Sequence, residues 1–238
     1  MIATIVNSLA IIAGSLIGLF ASRWITEKVK GVVFTSIGLV TIVIGIQMAL
    51  ETKQILYVAF SLVIGGLLGE WWDVEGAILR LGESLKGLAR MKGEGKEFGE
   101  GFLSASVLFC VGAMALVGSF QAGAEGNYTL IFTKSLMDGF MAIMLSAALG
   151  IGVIFSSLSI LVYQGTLTLL SAWIAPYVSA LILAQIAGMG GILVVMIGFN
   201  LLGLKSIKTA NFLPGLVIVV VLAAIDPAIG RLLASFKR

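Results

Sequence analysis

The sequence predicts an all-α polytopic membrane protein with about eight transmembrane helices and two inverted three-helix repeats. Three observations lead there. Apolar residues make up 59% of the 238 residues and charged residues only 11%, against about 25% charged in soluble domains. Mean hydropathy is +1.12, and apolar runs recur at the length of a bilayer crossing. One motif also occurs twice, at Gly38–Gln47 and at Gly191–Asn200. Each copy has two glycines seven residues apart, an aliphatic filling, and an amide two residues after the second glycine. The copies stand 153 residues apart (191 − 38), and a second echo, Ala13–Leu16 against Gln164–Leu167, stands 151 apart (164 − 13). Near-equal offsets point to an internal duplication.

A helix crosses the bilayer core with about 20 apolar residues. Eight segments qualify, at 2–22, 31–50, 55–72, 102–120, 131–151, 154–175, 178–203 and 210–226. The first is apolar from Ile2 with no basic stretch before it, so it reads as a span rather than a cleaved signal. The second carries the first motif copy. The third closes on Gly69-Glu70-Trp71-Trp72, where the tryptophans mark an interface. In the connector at 73–101, Ile78, Leu81, Leu85 and Leu88 recur at helical spacing beside Arg80, Glu83, Lys86 and Arg90. That pattern fits an amphipathic helix lying on a leaflet, followed by a flexible link at Gly93, Gly95 and Gly99. The fourth span holds Cys110, Gly112 and Gly118, and a glycine-rich outer segment around Gly123 and Gly126 leads to the fifth. From Gly139 to Ala175 no charge interrupts the chain. That is too long for one crossing, and Gly150, Gly152, Ser156, Ser157 and Ser159 mark the turn. The seventh span carries the second motif copy, and the eighth opens at Asn211 and Pro214.

Basic residues set the orientation. Arg23, Lys28 and Lys30 follow the first span, Arg80 to Lys96 the third, and Lys205 and Lys208 the seventh. Eight spans put all of them on one side, the cytoplasm, and both termini outside. The tail residues Arg231, Lys237 and Arg238 break the rule; Pro227 is expected to end the last span and lay the tail along the interface. The first copy then enters the membrane from outside and the second from inside. The organisation is repeat one (1–72), a cytoplasmic amphipathic connector (73–101), a central pair of spans (102–151), and repeat two with a short tail (152–238).

Several residues are candidates for an ion or solute pathway. Lys134 and Asp138 lie four apart and share one helix face. Either Asp138 pairs with a lysine that snorkels to the outer interface, or the pair lies on a passage, since intramembrane charges face a bundle interior or water. Glu70 is a wet interfacial carboxylate or lines a mouth. Gly112, Gly118 and Gly126 fit a re-entrant segment with open carbonyls, or an ordinary outer loop. Most amides in the spans read as interhelical hydrogen bonds. Gln47 and Asn200 stand apart because the repeat makes them equivalent, and a two-fold would bring them toward one midplane site. Asn211 opens a helix whose Pro214 is either a first-turn proline or a break. The pairs Gly14/Gly18 and Gly65/Gly69 fit tight packing or a homo-oligomer.

Other chemistries are not expected. There is no histidine, and Cys110 is the only cysteine. An imidazole relay and an intrachain disulfide are therefore excluded, and no cluster has metal-ligand spacing. Basic residues are spread over loops, which argues against nucleic acid. No phosphate-binding loop or cofactor motif is present. Ser135 beside Lys134 does not make a catalytic pair, because helix neighbours point apart.

Asn7-Ser8 with Gly14 and Gly18, Gly69-Glu70, Leu108-Phe109-Cys110 with Gly112 and Gly118, Lys134-Ser135 with Asp138, Leu149–Gly152, and Asn211–Pro214 together resemble the YqgA/YdfK family of bacterial inner-membrane proteins, a domain of unknown function. The resemblance spans essentially the whole chain. It implies a bacterial plasma-membrane location without a settled substrate, and it touches Glu70, Lys134, Asp138 and Asn211. The function expected is a transporter or channel-like protein for an ion or small solute, without enzymatic activity. The alternative is a non-transporting scaffold or assembly subunit. The partners expected are the lipid bilayer, a small ion or solute, and a second copy of the chain.

Overall fold

The structure, a computed structural model, describes residues 1–22, 27–88, 95–110 and 113–236. The helices are α1 (Ile2–Ser22), α2 (Glu27–Ala49), α3 (Ile55–Trp72), α4 (Val74–Leu88), α5 (Gly95–Cys110), α6 (Ala113–Phe120), α7 (Thr129–Leu149), α8 (Gly152–Ile174), α9 (Ala180–Leu201) and α10 (Pro214–Phe236). A single π turn, Gln121–Glu125, extends α6, and a 3₁₀ turn, Thr209–Phe212, precedes α10.

Among the described residues six stretches are long and apolar enough to cross a bilayer: α1, α3, α7, α8 up to Trp173, α9, and Thr209–Asp226. The pair Phe98–Cys110 and Met114–Glu125, bent by 57°, makes a seventh if it is one crossing. The apolar part of α2, Phe34–Ala49, is shorter. Of the eight expected spans, six thus fall on helices long and apolar enough to cross, the fourth on the bent pair and the second on the shorter helix. The long uncharged run divides as its glycines suggest. Gly150 ends α7 at φ 77, and α8 starts at Gly152.

Three local expectations need correction. Residues 113–125 are helical, not an extended segment or a loop. Gly95 and Gly99 sit inside α5, so they are no flexible link; a Cβ on Gly99 would lie 2.8 Å from the Leu79 side chain. Gly93 lies outside the described residues. And α10 continues through Pro227 to Phe236, so that proline does not end the helix. Its missing N–H leaves a kink or one unmade bond, which a long apolar helix in lipid tolerates when neighbours compensate.

Burial runs opposite to a soluble bundle. The buried face of α1 is Ala3, Thr4, Asn7, Ser8, Ile11, Gly14, Ser15 and Gly18, recurring at helical period. Its large residues Ile5, Leu9, Leu16, Ile17 and Phe20 point outward. Small and polar groups inside with aliphatics outside is the pattern of helices packed in lipid, where close backbone approach drives association.

Those small residues fix the pairings. A Cβ on Gly14 would collide with the Gly139 carbonyl, and one on Gly18 with the Ile143 carbonyl. The rising register makes α1 and α7 parallel neighbours. Gly45 faces Gly191 O (2.7 Å from a built Cβ), and Gly198 faces Gly38 O (3.0 Å). The falling register makes α2 and α9 antiparallel. Gly65 meets Gly215, and Gly69 meets Asn211, so α3 and α10 are antiparallel as well. The contact of α1 with α8 joins Thr4 to Thr168 and Asn7 to Gln164, again antiparallel. α1, α3, α7 and α9 therefore point one way, and α2, α8 and α10 the other. Ser22 and Leu149 mark one end of the bundle, hereafter the α4 end; Met1 and Thr129 mark the other.

Candidate functional site

Close packing of α1 on α7 brings Asn7 beside Asp138. Asp138 lies at the centre of α7 (Thr129–Leu149, 21 residues), about 14 Å from the Thr129 end at 1.5 Å per residue. That is near the middle of a hydrocarbon core about 30 Å thick. One turn earlier, the Lys134 ammonium bonds the Asp138 carboxylate directly. Both side chains are buried, 7% and 10% exposed. The ammonium also stands 5.9 Å from the Phe109 ring centroid, within cation–π range.

From this pair a chain of polar groups crosses into α8. Asn7 Nδ2 donates to Asp138 Oδ2 and to Gln164 Oε1, both at 3.1 Å. Gln164 Nε2 donates to Thr4 Oγ1 at 3.3 Å, and Thr4 and Thr168 hydroxyls meet at 3.4 Å. Gln164 lies near the centre of α8 and is fully buried, as is Asn7. Asn7 Oδ1, by contrast, finds no partner among the described residues. A buried acceptor without a partner costs on the order of 1–3 kcal/mol. The arrangement is a neutral charge pair with a tail of hard oxygen donors, buried throughout, with Asp138 at mid-depth and Thr4 near the Met1 end. Among the described residues no group of three His, Cys, Asp or Glu side chains is placed to hold a metal ion.

A cavity of about 670 Å³ opens at the α4 end, with Glu75, Glu100, Ser104, Asn200 and Lys205 on its walls and Val107 and Ser146 deepest. Ser146 Oγ is buried and without a partner among the described residues. Ala142 and Leu145 of α7 and Phe109 of α5, all buried, stand between this cavity and Asp138.

A second polar cluster lies at the same end. Asn211 Nδ2 donates to Glu70 Oε2 at 2.5 Å, and Asn211 Oδ1 accepts from Glu75 N at 2.8 Å. Ala210 N donates to Glu75 Oε2 at 3.0 Å, and Lys208 pairs with Glu70 at 2.7 Å. The cluster ties the α3–α4 junction to the turn before α10. The hydrogen bond it donates to Glu70 holds the Lys208 ammonium above the usual lysine range. Burial pushes the Glu75 carboxyl up, only partly opposed by the Ala210 N–H.

The family described as "Protein of unknown function (DUF554)" matches residues 2–224. The chain belongs to this family. Two relatives are similar along nearly their whole length. The "Uncharacterized membrane protein YdfK" of Bacillus subtilis (strain 168) is 30% identical over 97% of this chain and 99% of its own. The "Uncharacterized protein YqgA" of Escherichia coli (strain K12) is 26% identical over 94% of this chain and 97% of its own. No solved structure matches the chain.

In this DUF554 member the residues singled out by sequence fall into separate places. Lys134 and Asp138 are together, buried and central. Glu70 and Asn211 are also together, but at the α4 end. Gln47 and Asn200 are not brought to one site. With Gly45 opposite Gly191 and Gly38 opposite Gly198, they occupy opposite ends of the α2–α9 pair, and both are exposed. Asn200 instead holds its own loop, donating to Ile207 O at 2.8 Å and accepting from Ile207 N at 2.7 Å. The motif repeats the glycines for packing, and the amide two residues on simply follows in register. Gly118 packs on Ile131, and Gly126 ends the π turn at φ 68, exposed. Neither lies in the polar chain, because residues 113–125 spend their carbonyls on helical bonds. Gly112 lies outside the described residues. Gly14/Gly18 and Gly65/Gly69 face partners within the chain, so they no longer argue for a second copy.

The sequence reading passed over Asn7 and Gln164 as scattered amides, and it did not single out Thr4, Thr168 or Glu75. A signal was present. Thr4, Asn7, Ser8 and Ser15 fall on one face of the first span, and Gln164 and Thr168 are four apart in the sixth.

Proposed function

We propose that this protein moves a small ion or solute across the bacterial plasma membrane, through the bundle and past the Lys134–Asp138 pair. The observation that carries this is the buried polar chain that runs from Asp138 at mid-depth through Asn7 and Gln164 to Thr4 and Thr168, with a charge pair where no packing need calls for charge. A buried ion pair is weak evidence for stability, since apolar replacements are often neutral or better; intramembrane ionisable groups are by default functional. The cavity ending at Ser146 supplies a mouth from one side, and the apolar layer of Phe109, Ala142 and Leu145 supplies a barrier. The reading is non-enzymatic. It takes the α4 end as cytoplasmic, from the lysines and arginines of its loops. It also takes the halves as inverted repeats, supported by the reciprocal glycine contacts of α2 and α9 and by the antiparallel pairs α1/α8 and α3/α10.

The test is flux in proteoliposomes, screened over monovalent cations, halides and small metabolite pools. Asp138→Asn should reduce any protein-dependent flux by tenfold or more, the scale expected when a site residue is removed. Equal flux through folded Asp138→Asn protein, or none from the native chain across the whole screen, would sink the proposal.

One observation favours a scaffold as the second reading. An open apolar groove of about 450 Å³ runs along the α1–α7 seam over Ala10, Gly14 and Gly139. Its apolar lining would accept an apolar helix from a partner protein.

A further inference from the structure

Resting on the transport reading, we infer that Asp138 is the carboxylate of a binding site for a sodium-sized monovalent cation, and that Lys134 is a tethered ammonium competing with that cation.

The donor set defines the ligand class. The buried polar chain that Asn7 Nδ2 joins to Asp138 carries the amide oxygens of Asn7 and Gln164 and the hydroxyls of Thr4 and Thr168. All are hard oxygens, the ligand type of alkali and alkaline-earth ions rather than softer metals. Asn7 gives the independent sign. Its Nδ2 is fixed by two acceptors, Asp138 and Gln164, so the amide cannot turn over without setting oxygen against oxygen. Its Oδ1 is thereby committed to the interior, fully buried and without a partner among the described residues. A cation bridging it to Asp138 satisfies the acceptor.

Charge selects valence. Asp138 carries one negative charge and Lys134 balances it. A monovalent ion replaces the ammonium one for one and leaves the centre neutral. A divalent ion leaves an excess positive charge at mid-depth, where unpaired charge is most costly.

Exchange requires that Lys134 can leave, and its position permits this. It lies five residues from Thr129, about 8 Å from the helix end, and a lysine stem at that depth carries its ammonium to the interface. Asp138, a turn deeper with a short side chain, cannot follow. The ammonium inside and the cation inside are thus mutually exclusive states of one carboxylate.

The test uses the full chain purified in detergent. Its melting temperature is followed while LiCl, NaCl or KCl replaces choline chloride at constant ionic strength and pH, since a ligand that binds only the folded state raises it. Sodium or lithium should stabilise the native chain. Lys134→Gln, which removes the competitor, should lower the half-saturating concentration about tenfold or more, a shift of about 1.4 kcal/mol per decade. Asp138→Asn should abolish the response. Asn7→Ala, in which the Lys134–Asp138 pair is untouched, should raise the half-saturating concentration about tenfold on the same scale; it keeps the question answerable if Lys134→Gln does not fold. Alkali salts indistinguishable from choline in the native chain and in Lys134→Gln overturn the inference, as does an unchanged response in Asn7→Ala. Because binding is read without flux, the two ideas fail separately. Binding without flux removes the transport reading; Asp138-dependent flux without alkali binding removes the cation.

Discussion

At the scale of single residues, the decisive fact is that Lys134 and Asp138 satisfy each other out of reach of water. Removing either partner leaves the other buried and uncompensated, which typically costs about 3–5 kcal/mol, whereas replacing both by apolar groups is often neutral or stabilising. Lys134→Met and Asp138→Leu should therefore each lower unfolding stability in detergent by roughly that amount, and the double variant should recover most of the loss. If the double variant lost the sum of the two, the pair would not be acting as a unit. The pair itself was legible in the sequence, because four residues on a helix always share a face. Its partners were only half legible. Asn7 and Gln164 are 157 positions apart, and no local pattern says which of the amides in the spans will meet. Gln47 and Asn200 mislead for a related reason. Repetition conserves register along a helix, and register alone says nothing of which end of an antiparallel pair a residue reaches.

Among the elements, α4 and the turn before α10 form a clasp through Glu70, Glu75, Lys208 and Asn211. The clasp is pH-sensitive through Glu75. Burial raises its pKa above the unfolded value, so folding favours the protonated form. That contribution is complete below the ordinary glutamate range and is lost as pH rises through the raised folded value. Glu75→Gln mimics the protonated carboxyl, so its melting temperature should match the native chain at acid pH and exceed it increasingly toward neutrality. A constant difference across that range would show that Glu75 does not titrate in the clasp. The lysine at position 208 has its window elsewhere: its pKa is raised, so its contribution stands below the ordinary lysine range and fades only in strong alkali. Sequence periodicity located α4, and glycines located the α7–α8 turn, because both are local signals. The bend between α5 and α6 and the helical state of 113–125 were not readable. Glycine marks permissiveness, and only packing against α7 and α8 decides whether a permissive stretch stays helical.

For the whole molecule, the directions of the helices follow from which glycine meets which backbone, and they place the α4 end opposite Met1 and Thr129. A membrane-impermeant maleimide should label Ser104→Cys, in a Cys110→Ala background, only from the cytoplasmic side, and Asn127→Cys only from outside. The reverse pattern would invert the assignment of the mouth, and labelling of both from one side would contradict their placement at opposite ends. The seam between α2 and α9 carries a broader consequence. Because Gly38 meets Gly198 and Gly45 meets Gly191, the contact reads the same from either helix. That property belongs to a two-fold dimer, where identical chains supply it without further specification. Here one polypeptide supplies both faces. On the inverted-repeat reading, a half-length ancestor inserting in both orientations would have made this seam between two separate molecules, and gene fusion would then have had only to fix which copy faced which way.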